Sequence, residues 1–270
     1  MAARFLVVPQ WQGSGSDRAM RLVEGAEAIL ADLPAAATER VEVPLEAGDH
    51  EGTGIHRWSS IRLVRERLGR ALAEHESDRD DPVIVVGGDC GVEYASIDAV
   101  AARARPVLLW ADAHADLNSP ETSPSGAFHG MVLRALLDDG IVAPEDVLLL
   151  GVRDLDDAEA EAIERFGLRR VAADEVADAV AERAGDGADA LLYLHVDLDV
   201  LDPGVFAGVG FPAPFGLQLG ELCDALRAAR VGLPLGGAGL CEYAPPEGAR
   251  DEEAGDDSAA ILRIIGAFTR

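Results

Sequence analysis

The feature that most constrains the fold is a series of short aliphatic runs, Phe5–Val8, Val83–Val86, Val107–Trp110, Val147–Leu150 and Leu191–Val196. A strand that is apolar on both sides must be covered on both faces, and that is the signature of a parallel sheet sandwiched by helices. Segments with helical apolar spacing separate or follow the runs, at Arg18–Leu33, Ser59–Ala73, Gly130–Leu137, Asp157–Phe166, Asp174–Ala184, Leu219–Ala229 and Asp257–Ala267. The Ala-rich stretch Ala95–Ala104 reads as a further helix rather than low complexity, and Gly239–Glu242 as a last strand. The alternation predicts an α/β fold of three layers, αβα, with a mostly parallel sheet. No repeat or composition break divides the chain, so residues 1–270 are expected to form one domain.

Three of the runs end in groups that have no place in a core. Gly87-Gly88-Asp89-Cys90 follows the second run, Asp112-Ala-His114-Ala-Asp116 the third, and Asp197-Leu-Asp199 the fifth. Ligand sites of open α/β sheets lie outside the carboxyl ends of the strands, and carboxylates are costly to desolvate there unless something pairs with them. Residues two apart on an extended segment face the same way, so Asp112, His114 and Asp116 can converge, as can Asp197 and Asp199. Four carboxylates nearly balance two divalent cations. A solvated Asp-x-His-x-Asp loop, with a turn opening before Asp202-Pro203, accounts for either motif alone far better than for both together behind strands of one sheet.

Composition excludes several classes. The net charge of −26 leaves no basic surface for nucleic acid or an anionic membrane, and is read as a solvated acidic exterior. Cysteines at 90, 223 and 241 are too few and too scattered for a disulfide framework, and no apolar stretch approaches a membrane span of about 20 residues. The apolar run in Met1–Pro9 is short for a signal peptide, so a cytoplasmic location is expected. Gly13-Ser-Gly15 lacks the glycine spacing of a phosphate loop and reads as a turn.

The segment from Trp110 to Gly130, WADAHADLNSPETSPSGAFHG, resembles the metal and substrate loops of arginase and its ureohydrolase relatives. Gly151-Val-Arg153-Asp154-Leu-Asp156, Asp197-Leu-Asp199-Val-Leu-Asp202-Pro203 and Glu242 fall in the family's order. The resemblance implies two manganese ions per chain. One would be held by Cys90, Asp112, Asp116 and Asp197, the other by Asp112, His114, Asp197 and Asp199. It implies hydrolysis of a guanidino group, with His129 as proton shuttle and Asp89 orienting the loop around Cys90. Asn118, Ser123 and Ser125 would bind a substrate α-carboxylate, Asp156 its α-ammonium and Glu242 its guanidinium. The partner would be a small guanidino amino acid; the sequence leaves the oligomeric state open.

Two departures from the family pattern bear on the substrate. Cys90 stands where the family has histidine, and a thiolate is a softer, negatively charged ligand. Gly208-Val-Gly210-Phe211-Pro212 stands where the family has Gly-Thr-Gly-Thr-Pro, so two hydroxyls are lost and Phe211 adds apolar bulk. Together they suggest an arginine-like head group with a modified distal group, such as Nω-hydroxy-L-arginine. His195, two residues before Asp197, is read as a buried structural histidine. The alternatives are a ureohydrolase-fold binding or regulatory protein without catalysis, and a hydrolase of another guanidino or formimino compound.

Overall fold

The structure, a computed structural model, describes residues 3–75, 82–185, 189–246 and 251–269, with backbone alone over 251–255. Eight strands form one sheet. In chain order they are β1 (Arg4–Val8), β2 (Thr38–Arg40), β3 (Val83–Gly87), β4 (Arg105–Ala111), β5 (Val147–Leu150), β6 (Arg169–Val171), β7 (Ala190–Asp197) and β8 (Leu235–Cys241). They lie side by side as β2-β1-β3-β8-β7-β4-β5-β6, and every neighbouring pair is parallel. The helices are α1 (Arg21–Asp32), α2 (Trp58–His75), α3 (Glu93–Ala101), α4 (Val132–Asp138), α5 (Asp157–Phe166), α6 (Val176–Ala184), α7 (Leu219–Gly232) and α8 (Asp251–Thr269).

The period of two along each strand divides the core into two layers. Val7, Val86, Leu109, Leu194 and Leu240 point to one face and pack with residues of α1, α6, α7 and α8. Val8, Val85, Leu108, Trp110 and Tyr193 point to the other and pack with α2, α3 and α4. Each fully buried aliphatic side chain contributes about 1.5–3 kcal/mol through burial, which is why aliphatic residues dominate the central strands. The α/β three-layer expectation is met, and among the described residues the sheet is wholly parallel.

The differences lie at the margins. β2 and β6 are three-residue edge strands, and the sequence offers no aliphatic run there. β8 starts at Leu235 and stops at Cys241, so Glu242 is the first residue past the strand. α4 begins at Val132 after a single tight turn over Phe128–Met131, and α3 runs from Glu93 to Ala101. No helix among the described residues is long and apolar enough to cross a membrane.

Register brings the chemistry together. Val86 pairs with Leu240, Leu240 with Val196 and Val196 with Ala111, so the residues following β3, β4, β7 and β8 emerge at one level. The chain order reverses across these four central strands, where an open α/β sheet leaves its crevice.

Candidate metal centre

Three of the acidic groups are positioned by backbone. Asp112 Oδ1 accepts from His114 N at 2.7 Å, Asp197 Oδ1 from Asp199 N at 2.8 Å, and Asp199 Oδ1 from Ala113 N at 3.1 Å. The loops after β4 and β7 are thereby tied to each other. Arg153 ties them further: its backbone N donates to the Ala113 carbonyl at 2.8 Å, and its guanidinium to the carbonyl oxygens of Gly151, Asp199 and Ala213 at 2.8–2.9 Å. Asp116 (φ 52°) and Glu242 (φ 67°) hold left-handed backbone, which non-glycine residues adopt only under constraint.

The loop after β3 is built by close approach. A Cβ on Gly88 would lie 1.7 Å from the carbonyl oxygen of Gln10, so only glycine lets β3 turn beside the segment that follows β1. Asp89, buried, accepts from Gln10 Nε2 (2.8 Å), Gly13 N (2.9 Å) and Gly91 N (2.8 Å). The Gly13 carbonyl in turn accepts from His129 N at 3.0 Å, so the Gly13–Gly15 turn links Asp89 to His129.

Among the described residues, four overlapping groups of side chains could hold a metal ion, each with ligand atoms within 4.8 Å of one another. Asp112, His114 and Asp199 form one, and His114 Nδ1 lies 3.0 Å from Asp199 Oδ2. Cys90, Asp112, Asp116 and His195 form a second; Cys90, Asp197 and Glu242 a third; Glu93, His195 and Cys241 a fourth. The six expected ligands therefore do converge, but their grouping differs from expectation. Asp197 sits with Cys90 and Glu242, its Oδ2 accepting from Cys90 Sγ at 3.3 Å, while His195 takes a place beside Cys90, Asp112 and Asp116.

The electrostatics fit a cation. Burial, then the charges of Asp112 and Glu159, push the Asp116 carboxyl well up; burial and the charges of Asp199 and Asp112 do the same to Asp197. Asp199 is raised to about 6, chiefly by burial and Asp112. Asp112 is the exception: against the upward push of burial, the neighbouring imidazoles of His114 and His195 hold it below the usual range. Burial, with Cys241 and Asp197, raises the Cys90 thiol. Asp116 Oδ2 and Glu242 Oε2 are buried with no hydrogen-bond partner, a cost that bound metal would remove.

A cavity of about 280 Å³ opens onto this cluster. Its floor carries His114, Asp116, Asp197, Asp199 and Glu242, and its walls carry Asn118, Ser123, Ser125, His129, Asp156 and Phe211. His129 Nδ1 is 3.4 Å from Glu242 Oε1; burial would lower its pKa, but that hydrogen bond and charge raise it. The Phe211 ring, partly exposed, stands 5.2 Å from the His129 ring. Asn118 Nδ2 donates to Asp156 Oδ2 at 2.8 Å, and Asp156 caps α5 by accepting from Glu159 N at 2.9 Å. Ser123 Oγ and Ser125 Oγ are 3.3 Å apart.

Two further residues belong here, neither singled out by the sequence. Glu159 Oε1 accepts from Leu117 N and its Oε2 from Asp156 N, both at 3.3 Å, tying the loop after β4 to the start of α5. Glu93, fully buried, accepts from Tyr193 Oη at 2.6 Å and from Cys241 Sγ at 3.2 Å. The available signal was the spacing of Glu93 three residues after Cys90, which places both on one side of a helical turn.

Residues 16–266 match the arginase family. The chain is 33% identical to the N(omega)-hydroxy-L-arginine amidinohydrolase of Streptomyces lavendulae, over 94% of this chain and 93% of that protein. It is 34% identical to the arginase of Bacillus caldovelox, over 71% of this chain and 69% of that one. In structure it resembles Entamoeba histolytica arginase, solved in complex with L-ornithine, with a TM-score of 0.84 over 98% of this chain and 97% of that one at 23% identity. A parallel sheet whose central strands deliver acids and a histidine to one cavity, in a chain that the family matches over residues 16–266, leaves one assignment: the chain belongs to the arginase family.

Proposed function

We propose that the chain is a binuclear manganese amidinohydrolase acting on an arginine-like amino acid, with Nω-hydroxy-L-arginine preferred over L-arginine and ornithine and hydroxyurea as products. The observation that carries the reading is the single cavity in which unpartnered carboxylate oxygens at the floor face amino-acid-binding groups on the walls. Divalent ions held by Cys90, Asp112, His114, Asp116, Asp197 and Asp199 would make water a nucleophile at neutral pH. Glu242 offers a carboxylate to the planar guanidinium, which suits a two-pronged pairing. His129, held by Glu242, passes a proton to the leaving amine as the carbon–nitrogen bond breaks.

Head-group recognition falls to the wall. Asn118 Nδ2 spends one of its two hydrogens on Asp156 and keeps the other for a carboxylate, with Ser123 and Ser125 alongside. Asp156 meets the ammonium. Phe211 beside His129, together with the thiol of Cys90, distinguishes the distal end, and the similarity to an N(omega)-hydroxy-L-arginine amidinohydrolase supports an N-hydroxylated guanidine. The test is a steady-state panel on manganese-reconstituted enzyme with L-arginine, Nω-hydroxy-L-arginine, agmatine and a formimino amino acid, reading urea, hydroxyurea, ornithine and formamide. Higher kcat/KM for L-arginine overturns the distal assignment; turnover of the formimino compound alone overturns the reaction class.

A further inference from the structure

We propose that His195 is a direct ligand, through Nε2, of the metal ion that Cys90 helps to hold, and that Glu93 is the carboxylate that fixes its ring. This rests on the reading of the cluster as a metal centre. His195 is completely buried in the middle of β7, two residues before Asp197 and on the same side of the strand. Its Nε2 lies 3.7 Å from Asp112 Oδ2 and 4.0 Å from Cys90 Sγ. Those separations are long for hydrogen bonds. They suit co-ligands: two atoms each about 2.1–2.3 Å from one ion, at near-tetrahedral angles, stand roughly 3.5 Å apart.

Asp116, whose buried Oδ2 makes no hydrogen bond, belongs to the same group of four, so the site offers a thiol, two carboxylates and an imidazole within 4.8 Å of one another. A histidine kept for packing satisfies its nitrogens. Here Nδ1 makes no hydrogen bond, and the contact of Nε2 to sulfur is at the limit of one. The ring is nevertheless locked, stacked on Trp110 with centroids 3.6 Å apart, while Trp110 Nε1 donates to Asp112 Oδ2 at 3.2 Å.

Glu93 completes the arrangement. Histidines that bind metal almost always direct the other ring nitrogen to a carboxylate or carbonyl, which sets the tautomer. Glu93 Oε2 stands 3.7 Å from His195 Nδ1, and its remaining partners are the neutral donors Tyr193 and Cys241. The sheet makes room for it: a Cβ on Gly239, in β8, would fall 1.7 Å from Glu93 Oε1. Glycine inside a central strand otherwise weakens it. An imidazole with a thiolate also makes this half of the centre softer than the Asp112, His114, Asp199 half, so the two positions should differ in metal preference.

The deciding experiment is the crystal structure of the wild-type protein loaded with manganese(II), with ions located by anomalous scattering. An ion bonded to Cys90 and about 2.1 Å from His195 Nε2 is expected; an ion bonded to Cys90 with His195 Nε2 beyond 3 Å overturns the assignment. Calorimetric titration with manganese(II) gives a second readout. His195→Gln should lose one of two ions and keep the affinity of the other, while Glu93→Gln weakens the same ion by about 10- to 100-fold. Two ions bound unchanged by His195→Gln overturns the ligand assignment alone. A wild-type protein that binds none overturns it together with the metal centre.

Discussion

Stripping the metal should invert the pH response of stability, and the structure sets the size of the effect. Asp89 is buried, and burial together with the charge of Glu242 raises it from 3.8 to about 6. His195 is raised to about 9: burial lowers it, but the nearby carboxylates of Asp112 and Glu93 more than offset that. In both cases the folded state binds a proton more tightly than the unfolded chain, so stability falls as pH rises. The Asp89 contribution is whole below its unfolded value near 3.8 and is lost through about 6; that of His195 is whole below 6.5 and lost through about 9. Between pH 5 and pH 8 linkage gives a loss on the order of 1 kcal/mol from Asp89 and on the order of 2 kcal/mol from His195. Asp116, Asp197 and Asp199, all raised, act in the same direction. At this chain length the loss corresponds to roughly a 6 °C fall in Tm. Manganese binding requires deprotonated ligands and strengthens over the same range, so the stabilisation by manganese should widen from pH 5 to pH 8. Differential scanning calorimetry of chelator-treated and manganese-loaded protein at both pH values measures the two effects. A chelator-treated protein equally stable at pH 5 and pH 8 would refute the argument from buried, crowded acids.

His129→Ala should retain two metal ions while turnover drops about 10²- to 10⁴-fold, whereas Asp116→Ala should lose metal and turnover together; elemental analysis alongside kinetics separates the roles. Agmatine, which offers nothing to the wall groups around Asn118, should show kcat/KM at least about 100-fold below that of the amino acid substrate, from 1–3 kcal/mol for each polar group left unpaired. Equal values would remove the head-group assignment. Arg153→Lys should cost about 2–4 kcal/mol at an unchanged denaturant m-value, because one ammonium cannot reach the carbonyls of Gly151, Asp199, Ala213 and Pro214 together. A midpoint within error of wild type would show that the brace is redundant.

The central strands were legible because burial on both faces admits little but aliphatic residues, and Asp112 and Asp197 stood out as the first groups that break that pattern. β2 and β6 were not legible. Three-residue edge strands such as Thr38–Arg40 and Arg169–Val171 are held by pairing with a neighbour, and their sequence carries little of that information. Local spacing brought Asp112, His114 and Asp116 together and Asp197 with Asp199, whereas the roles of Cys90, His129, Asn118, Ser123, Ser125, Asp156 and Glu242 came from the family resemblance, and the ligand grouping it implied differs from the one in the structure. Asp197 lies opposite Cys241 across β7 and β8, and Glu93 reaches the same spot from α3. Those relations depend on register between strands distant in sequence. His195 shows the limit most clearly: period two put it on the side of Asp197, while its depth beside Cys90 and Asp112 depended on the packing of three strands.

Asp116 and Glu242 are at once the site acids with left-handed backbone and those with an unpartnered buried oxygen. Each such backbone costs on the order of 1–3 kcal/mol, and each orphaned oxygen a similar amount. Relief is one substitution away, since glycine at either position removes both burdens and leaves the sheet untouched. Selection for catalysis is then what holds these two acids in place. Once that selection lapses, a lineage should drift first at these positions, gaining thermal stability as it loses its chemistry, and members of the family that combine an intact sheet with glycine there should be inert.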